Sequence, residues 1–596
     1  MCGIAGVQLR KPLGTTEVEK LVASFERSLH RRGPDGSGFQ LSGSTLLFSS
    51  RLAIVDVPHG WQPFSPGNGL ILIANGEIYN SPELRQQYND YPYETGSDCE
   101  TILPLYEAHG TKFIEYLRGM FAIAIYDAKS DELVLARDPF GIKPLYYSET
   151  EDGFAFASTL EALIEPGLAT RKLGDGATEE LLQLKYNTGE RTIFRDIRRL
   201  EPGTVLTVKD GCIAASRCNS TWPRNAAAFK SASIQAVSKP ELLKSFDTAI
   251  CNSVDVHMRS DAPLCFFFSG GLDSTILLSA AKKVTDRGLN AFTVGYEGDE
   301  SVDESGIALR FALGLGVACH RVEVSSGYFW DRMPELVQAI DDPMADIAAL
   351  PLFALGEAAF TRGYKVALTG EGADEVFGGY SRYRRATLPW FLRSKRSRRG
   401  VFTNSGISNG RFNGWSEGID KLEREQSPFW KSRLQLLQGI DVLERLPNCL
   451  LIKLDRSLMA HSVEGRTPFL DKEVLAFASS VPDRFKATPR VVKPLLRDWL
   501  AQEYPQADPY ARKRGFKAPV SKWILERENE LVPLIAAQPA IADIFTLSEI
   551  ATIVSEADKR EQPAWSVLFY ALWHSIHVLG VSSDGDIADT LQRASC

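Results

Sequence analysis

The chain has 596 residues, of which 44% are hydrophobic and 24% charged, and it carries a net charge of −8 with a pI near 5.7. This is more chain than one hydrophobic core can organise, so two domains are expected. The acidic balance argues against a nucleic acid or an anionic membrane surface as partner.

Short apolar runs at 45–50, 70–75, 121–127, 132–137 and 153–158 predict strands in the first two hundred residues. Helices are expected after Thr16/Glu19 and Ser97/Glu100, both with the spacing of a capping box. Val18, Leu21, Val22, Phe25 and Leu29 give the first of them an apolar stripe. Together these elements predict a layered α+β domain over 1–211. The small, polar, aperiodic stretch 212–240 reads as a linker. Beyond it, helical segments alternate with strand candidates at 264–268, 290–296 and 365–370, the pattern of a parallel sheet covered on both faces. The basic run at 393–400 precedes a Gly/Ser/Asn-rich stretch at 400–414, together read as a solvated mobile loop. From about 430 the reading is helical, ending in a flexible tail at 581–596. The apolar run 565–580 is too short and polar to span a membrane. Nine cysteines without a CxxC pair fit a reducing compartment, and no secretory leader is read at the N-terminus. A cytoplasmic protein without disulfides or structural zinc is expected.

Two stretches carry chemistry. "PLCFFFSGGLDSTILL" sets a buried strand directly before Ser269-Gly270-Gly271-Leu272-Asp273-Ser274 and a helix. Its glycines, hydroxyls and helix N-terminus make a phosphate cradle. It lacks the Gly-Lys-Ser/Thr of a P-loop, and Asp273 makes sense beside phosphates if it holds Mg²⁺. "VALTGEGADEVFGGY" repeats the strand-to-turn pattern and crowds Glu371, Asp374 and Glu375, which calls for a cation or a positive substrate group. At the other end of the chain, Cys2 directly follows the initiator methionine. Once that methionine is removed, the thiol lies beside an α-amine of pKa about 7.7–8.0, and one residue supplies both nucleophile and general base.

"CGIAG", "RRGPDG", "RLAIVD", "NGEIYN", "SDCE", "RDPFGIKPLYY", "SGGLDS" and "TGEGADEVFGGY" occur in this order. With "KLDRSLMAHSVEGRTPFLD", the whole resembles the glutamine-hydrolysing asparagine synthetases, in which a class II glutamine amidotransferase is fused to an ATP pyrophosphatase-type synthetase. The resemblance implies an αββα Ntn-hydrolase-like domain over 1–211. It also implies an α/β ATP-pyrophosphatase-like domain with extra helices over 241–580. Cys2 would attack glutamine, with Asn75 and Gly76 as the oxyanion hole. Arg51, Leu52, Ile54, Val55, Asn75, Gly76, Glu77 and Asp98 would bind glutamine. ATP would lie against Phe268, Ser269 to Ser274, Val294, Thr369 and Gly370. Asp273 and Asp374 would hold Mg²⁺, while Glu371 and Lys493 would act on the adenylate. Glutamine, ATP and aspartate are the implied substrates, and a homodimer is expected from the resemblance.

Two departures bear on the acceptor: Ala373 replaces a family serine, and Pro494 follows Lys493. "DDPMADIAALP" at 341–351 is expected to line the acceptor side. An amidotransferase acting on another carboxylate acceptor, a β-lactam-synthetase-like ligase, a bare glutaminase and a scaffold are the alternatives. The retained Cys2, Asp273, Asp374 and Lys493 weigh against the last three.

Overall fold

Strand β1 (Cys2–Leu9) begins at the candidate nucleophile and is buried along nearly all its length. The chain is described from a computed structural model over residues 2–218, 238–297, 303–389, 391, 398–403, 407, 412–511 and 518–595. β1 lies between β3 (Thr45–Arg51) and β8 (Gly153–Ala157), and β2 (Gly36–Ser42), β7 (Tyr146–Thr150) and β9 (Arg198–Arg199) complete a six-stranded sheet ordered β2-β3-β1-β8-β7-β9. Gly6 is obligatory here, because a Cβ would sit 2.6 Å from both the Leu46 carbonyl and the Phe156 ring. The second sheet is formed by β4 (Leu70–Ile78), β5 (Gly119–Asp127), β6 (Glu132–Arg137), β10 (Thr204–Lys209) and β11 (Cys212–Cys218), in the order β11-β10-β6-β5-β4. All pairings in both sheets are antiparallel.

The period-two alternation of side chains sorts these strands into layers. Ile4, Leu47, Ile73 and Phe156 fill the space between the sheets. The next residues along, Ala5 and Phe48, face the helix Thr15–Leu29 through Val18, Leu21 and Phe25. On the opposite side, Leu72 and Ala74 meet Ile102, Leu103 and Leu105 of the helix Ile102–His109. The result is an αββα sandwich, the layering expected for this domain.

The second domain is built on β12 (Leu264–Phe267), β13 (Asn290–Tyr296), β14 (Ala318–Val324), β15 (Val366–Leu368) and β16 (Glu464–Arg466), all parallel in the order β14-β13-β12-β15-β16. The chain winds outward from β12 in both directions, so the topological switch point falls between β12 and β15. Ligands of open parallel sheets bind at the carboxyl ends of strands beside such a point. Both Gly-rich turns noted in the sequence lie there. Helices surround the sheet, and Glu561–His577 is buried from Pro563 onward. Among the described residues no helix is long and apolar enough to cross a membrane.

Several local expectations need correction. The helix at 15–29 is entered through Gly14 with no side-chain cap, and Ser97 also caps nothing. Glu100 instead accepts hydrogen bonds from the backbone of Glu94 and Thr95, which folds the preceding loop. Capping boxes form at Ser238/Glu241 and Thr546/Glu549. Residues 212–218, assigned to the linker, form edge strand β11, and Lys239 already begins a helix; 219–237 lie outside the described residues. The expected flexible tail contains the helix Ile587–Ser595, pinned by buried Ile587 and Leu591 and by a hydrogen bond from Gln538 to the Leu591 carbonyl. Most of the 393–400 run and much of 400–414 fall outside the described residues, although Arg398 ion-pairs with the buried Asp441 at 2.6 Å.

Candidate active sites

The first site lies where the two sheets of the N-terminal domain meet. Register pairs Cys2 with Arg51 of β3, and β4 of the other sheet brings in Asn75. Asn75 Oδ1 accepts the Cys2 backbone N–H at 3.2 Å. This fixes the amide and leaves its Nδ2 buried with no hydrogen-bond partner among the described residues. An orphaned donor beside a nucleophile is the arrangement that stabilises a developing oxyanion. Gly76 sits so close to β5 that a Cβ would fall 2.1 Å from the Met120 carbonyl. Gln62, which sequence reasoning missed, places Nε2 3.9 Å from the Cys2 sulfur while both ends of its amide are locked onto the backbone of Ala74.

The expected glutamine-binding residues divide into two groups. The Arg51 guanidinium donates to the carbonyls of Val55, Asp56 and Val57, and stacks on Trp61 at 4.9 Å. Arg51 therefore shapes the loop that carries Leu52, Ile54 and Val55; Leu52 and Ile54 are core residues. Asp98 is buried and accepts the Ile78 N–H; burial raises its pKa. Glu77 ion-pairs with Arg466 of the second domain at 3.0 Å and still feels the charge of Asp98. Burial pushes its carboxyl upward against the pull of that guanidinium.

The second site is a cavity of about 590 Å³ at the switch point. It is lined by every residue expected to meet the nucleotide: Phe268, the Ser269–Ser274 loop, Val294, Thr369 and Gly370. Glu371, Asp374 and Lys493 line it too. Gly270 turns the loop at φ +70°, and the Ser269 and Ser274 hydroxyls lie 3.2 Å apart at its mouth. Gly370 packs against this loop, with room for only a tight Cβ 3.1 Å from that of Asp273. Lys493 Nζ lies 2.6 Å from Asp273 and also contacts Asp374, so one ammonium joins the two carboxylates expected to hold a metal. The lysine itself has φ +52°, a left-handed conformation held immediately before Pro494, which opens the helix Pro494–Glu503. Such strain is kept where the surroundings over-determine it. Lys453, also missed from the sequence, ion-pairs with Glu371 at 2.9 Å. Ala373 is fully buried and does not line the cavity, so the hydroxyl absent there would not face a substrate.

Residues 1–219 match the glutamine amidotransferase domain family and residues 245–575 the asparagine synthase family. Glutamine-hydrolysing asparagine synthetase 1 of Bacillus subtilis is 32% identical over 97% of this chain and 97% of its own. Asparagine synthetase B of Escherichia coli is 29% identical, covering 88% of this chain and 83% of its own. Asparagine synthetase 3 of B. subtilis is 28% identical over 87% of each. The chain belongs to the glutamine-hydrolysing asparagine synthetase family.

As in that family, the enzyme is an ATP-dependent ligase fed by a glutamine amidotransferase domain, and its two halves are joined by buried charge. Arg32 grips Asp455 at 2.6 and 3.0 Å, Arg118 grips Asp471 at 2.8 and 3.0 Å, and Arg199 grips Asp342 at 2.7 Å through two nitrogens. Lys143 approaches Glu464 at 3.8 Å, and Arg466 links Glu464 to Glu77. The Asp341 carboxylate receives both Arg456 and the Leu160 N–H. The "DDP" start of the 341–351 segment therefore holds the domains together, and only its later residues reach a cavity. None of this was visible in the sequence, because the partners are separated by more than a hundred residues.

Proposed function

We propose that the enzyme is a glutamine-dependent asparagine synthetase. In this reading Cys2, freed of the initiator methionine, attacks the glutamine side-chain amide. Its own α-amine takes the thiol proton, and the Asn75 amide and Gly76 N–H receive the oxyanion. Ammonia leaves and the thioester is hydrolysed to glutamate. In the second domain the β-carboxylate of aspartate attacks the α-phosphorus of ATP, pyrophosphate departs, and ammonia displaces AMP from the acyl-adenylate. Asp273 and Asp374 supply hard oxygen donors close enough to share one ammonium, a donor set that fits Mg²⁺. The ion would be held by those two carboxylates and, when bound, neutralises charge on the phosphates. Lys493 then lies beside the same phosphates as a second positive group, and Lys453 holds Glu371 in place.

The observation that carries the reading is the pairing of an orphaned amide donor at Cys2 with a cavity lined by the Ser269–Ser274 loop in one chain, as relatives named for asparagine synthesis lead one to expect. Purified protein incubated with glutamine, MgATP and aspartate should form AMP, pyrophosphate and asparagine in equal amounts, with AMP dependent on aspartate. Glutamate release without aspartate-dependent AMP would overturn aspartate as the acceptor.

A further inference from the structure

A second cavity, of about 320 Å³, lies beside the nucleotide cavity at the junction of the domains. Three chain segments line both in succession. Asp346 faces the second cavity and Ala348 the first; Arg382 the second and Gly379 the first; Cys449 the second and Lys453, one helical turn on, the first. The two spaces thus abut at the acidic-turn end of the nucleotide site. Gln183, Leu184 and Lys185 form the far wall, so the second cavity also faces the domain that delivers ammonia. An acceptor must lie within reach of both.

The wall of this cavity is strongly cationic, with Asp346 its one acid among the described residues. Asp441 already neutralises Arg382 and Arg398, and Arg433 pairs with Glu423. Arg385, Arg399 and Arg445 make no ion pair or hydrogen bond through their side chains among the described residues, although all three face the cavity. Arg445 is the deepest of them, stacked on Tyr380 at 4.9 Å. It projects from a π-helical stretch, Asp441–Leu450, and such widened turns are frequent at functional sites. Lys185 enters the same wall in a left-handed conformation, φ +75°. Asp346, Glu375 and Asp441 act on the Arg445 guanidinium across space, but among the described residues none hydrogen-bonds to it, so its N–H groups stay open to an anion.

We propose that this cavity is the acceptor subsite and that it selects an acid bearing an anionic group besides the carboxylate that reacts, with Arg445 as counter-ion to that group. The inference rests on the ligase reading above, and for aspartate the second anionic group is the α-carboxylate. Steady-state kinetics of the intact chain test it. Arg445→Met should raise the KM for aspartate at least about tenfold, while the KM for ATP stays within about twofold, and Arg445→Lys should recover part of the loss. The exposed pair Arg385→Ser/Arg399→Ser, which places no burden on folding, should raise it about threefold. An unchanged aspartate KM in Arg445→Met, or a KM for ATP that rises in step, would overturn the assignment. If the wild-type chain forms no AMP with aspartate, the aspartate reading fails and the subsite is tested by binding instead. Succinate and citrate titrated calorimetrically at constant ionic strength should then bind saturably to the wild type and not to Arg445→Met. Absence of saturable binding to the wild type would dispose of the subsite.

Discussion

The two active sites solve opposite problems. Around Cys2 the charged groups are held by protein partners, Arg51 by loop carbonyls, Glu77 by Arg466 and Asp98 by the Ile78 N–H, while the Asn75 amide is fixed on its strand. The nucleotide cavity keeps its charges inside and balances them internally, Lys493 against Asp273 and Asp374, Lys453 against Glu371. In the proposed reaction the first site works on the uncharged side-chain amide of glutamine, for which preorganised dipoles serve. The second would take a polyanion, its carboxylates meanwhile paired with Lys493 and Lys453. The difference in substrate charge is written into which side chains are left unpaired.

Removing the nucleophile should separate the two sites most sharply. Cys2→Ala is expected to lower glutamine-dependent synthesis by at least about 10³-fold while ammonium-supported synthesis is retained. Loss of both activities in a folded variant, measured as AMP release with each nitrogen source, would contradict the division. A smaller effect of the same sign comes from the dipole: Asn75→Ala should cost about 10²–10³-fold in glutaminase kcat with little change in KM. A drop confined to KM would show that the amide binds glutamine and does not serve the transition state. The smallest effect concerns the seam between the sites. His257 packs against Tyr79 of the other domain with ring centroids 4.1 Å apart, and burial lowers its pKa to about 4. The folded protein keeps this imidazole neutral while the unfolded chain takes up a proton, so the associated stability is full above pH 6.5 and drains as pH falls toward 4. The loss is of the order of 3 kcal/mol, and His257→Gln should flatten that part of the melting-temperature profile.

Much of this organisation could be read from the residues, and where it could not the reasons are physical. Runs that are buried on both faces announced themselves: 132–137 and 290–296 became β6 and β13 with the expected bounds. Strands half in water did not. β2 is mostly glycine and polar residues, β14 interleaves His320, Arg321 and Glu323 with apolar ones, and β11 is largely exposed. The tail helix was missed because two buried side chains, Ile587 and Leu591, are too few to show a period. The nucleotide residues were legible because a loop concentrates them in sequence, and the structure gathers them all around one cavity. Gln62, Lys453 and Arg445 were not, since each gains meaning only from a partner or a space brought near by folding. Glu77 was expected in the glutamine site from the motif, and its pairing with Arg466 of the other domain was not legible there.

The buried ion pairs between the domains also bear on how the protein is made. The N-terminal domain leaves the ribosome first, carrying Arg32, Arg118, Lys143 and Arg199, whose acidic partners lie between 342 and 471. Until those arrive, these cations face water as a basic patch; once the domains have closed, losing a single partner costs about 3–5 kcal/mol. A nascent chain that stops early therefore carries an exposed basic face where the seam would be, although the two sheets of its own domain are already complete.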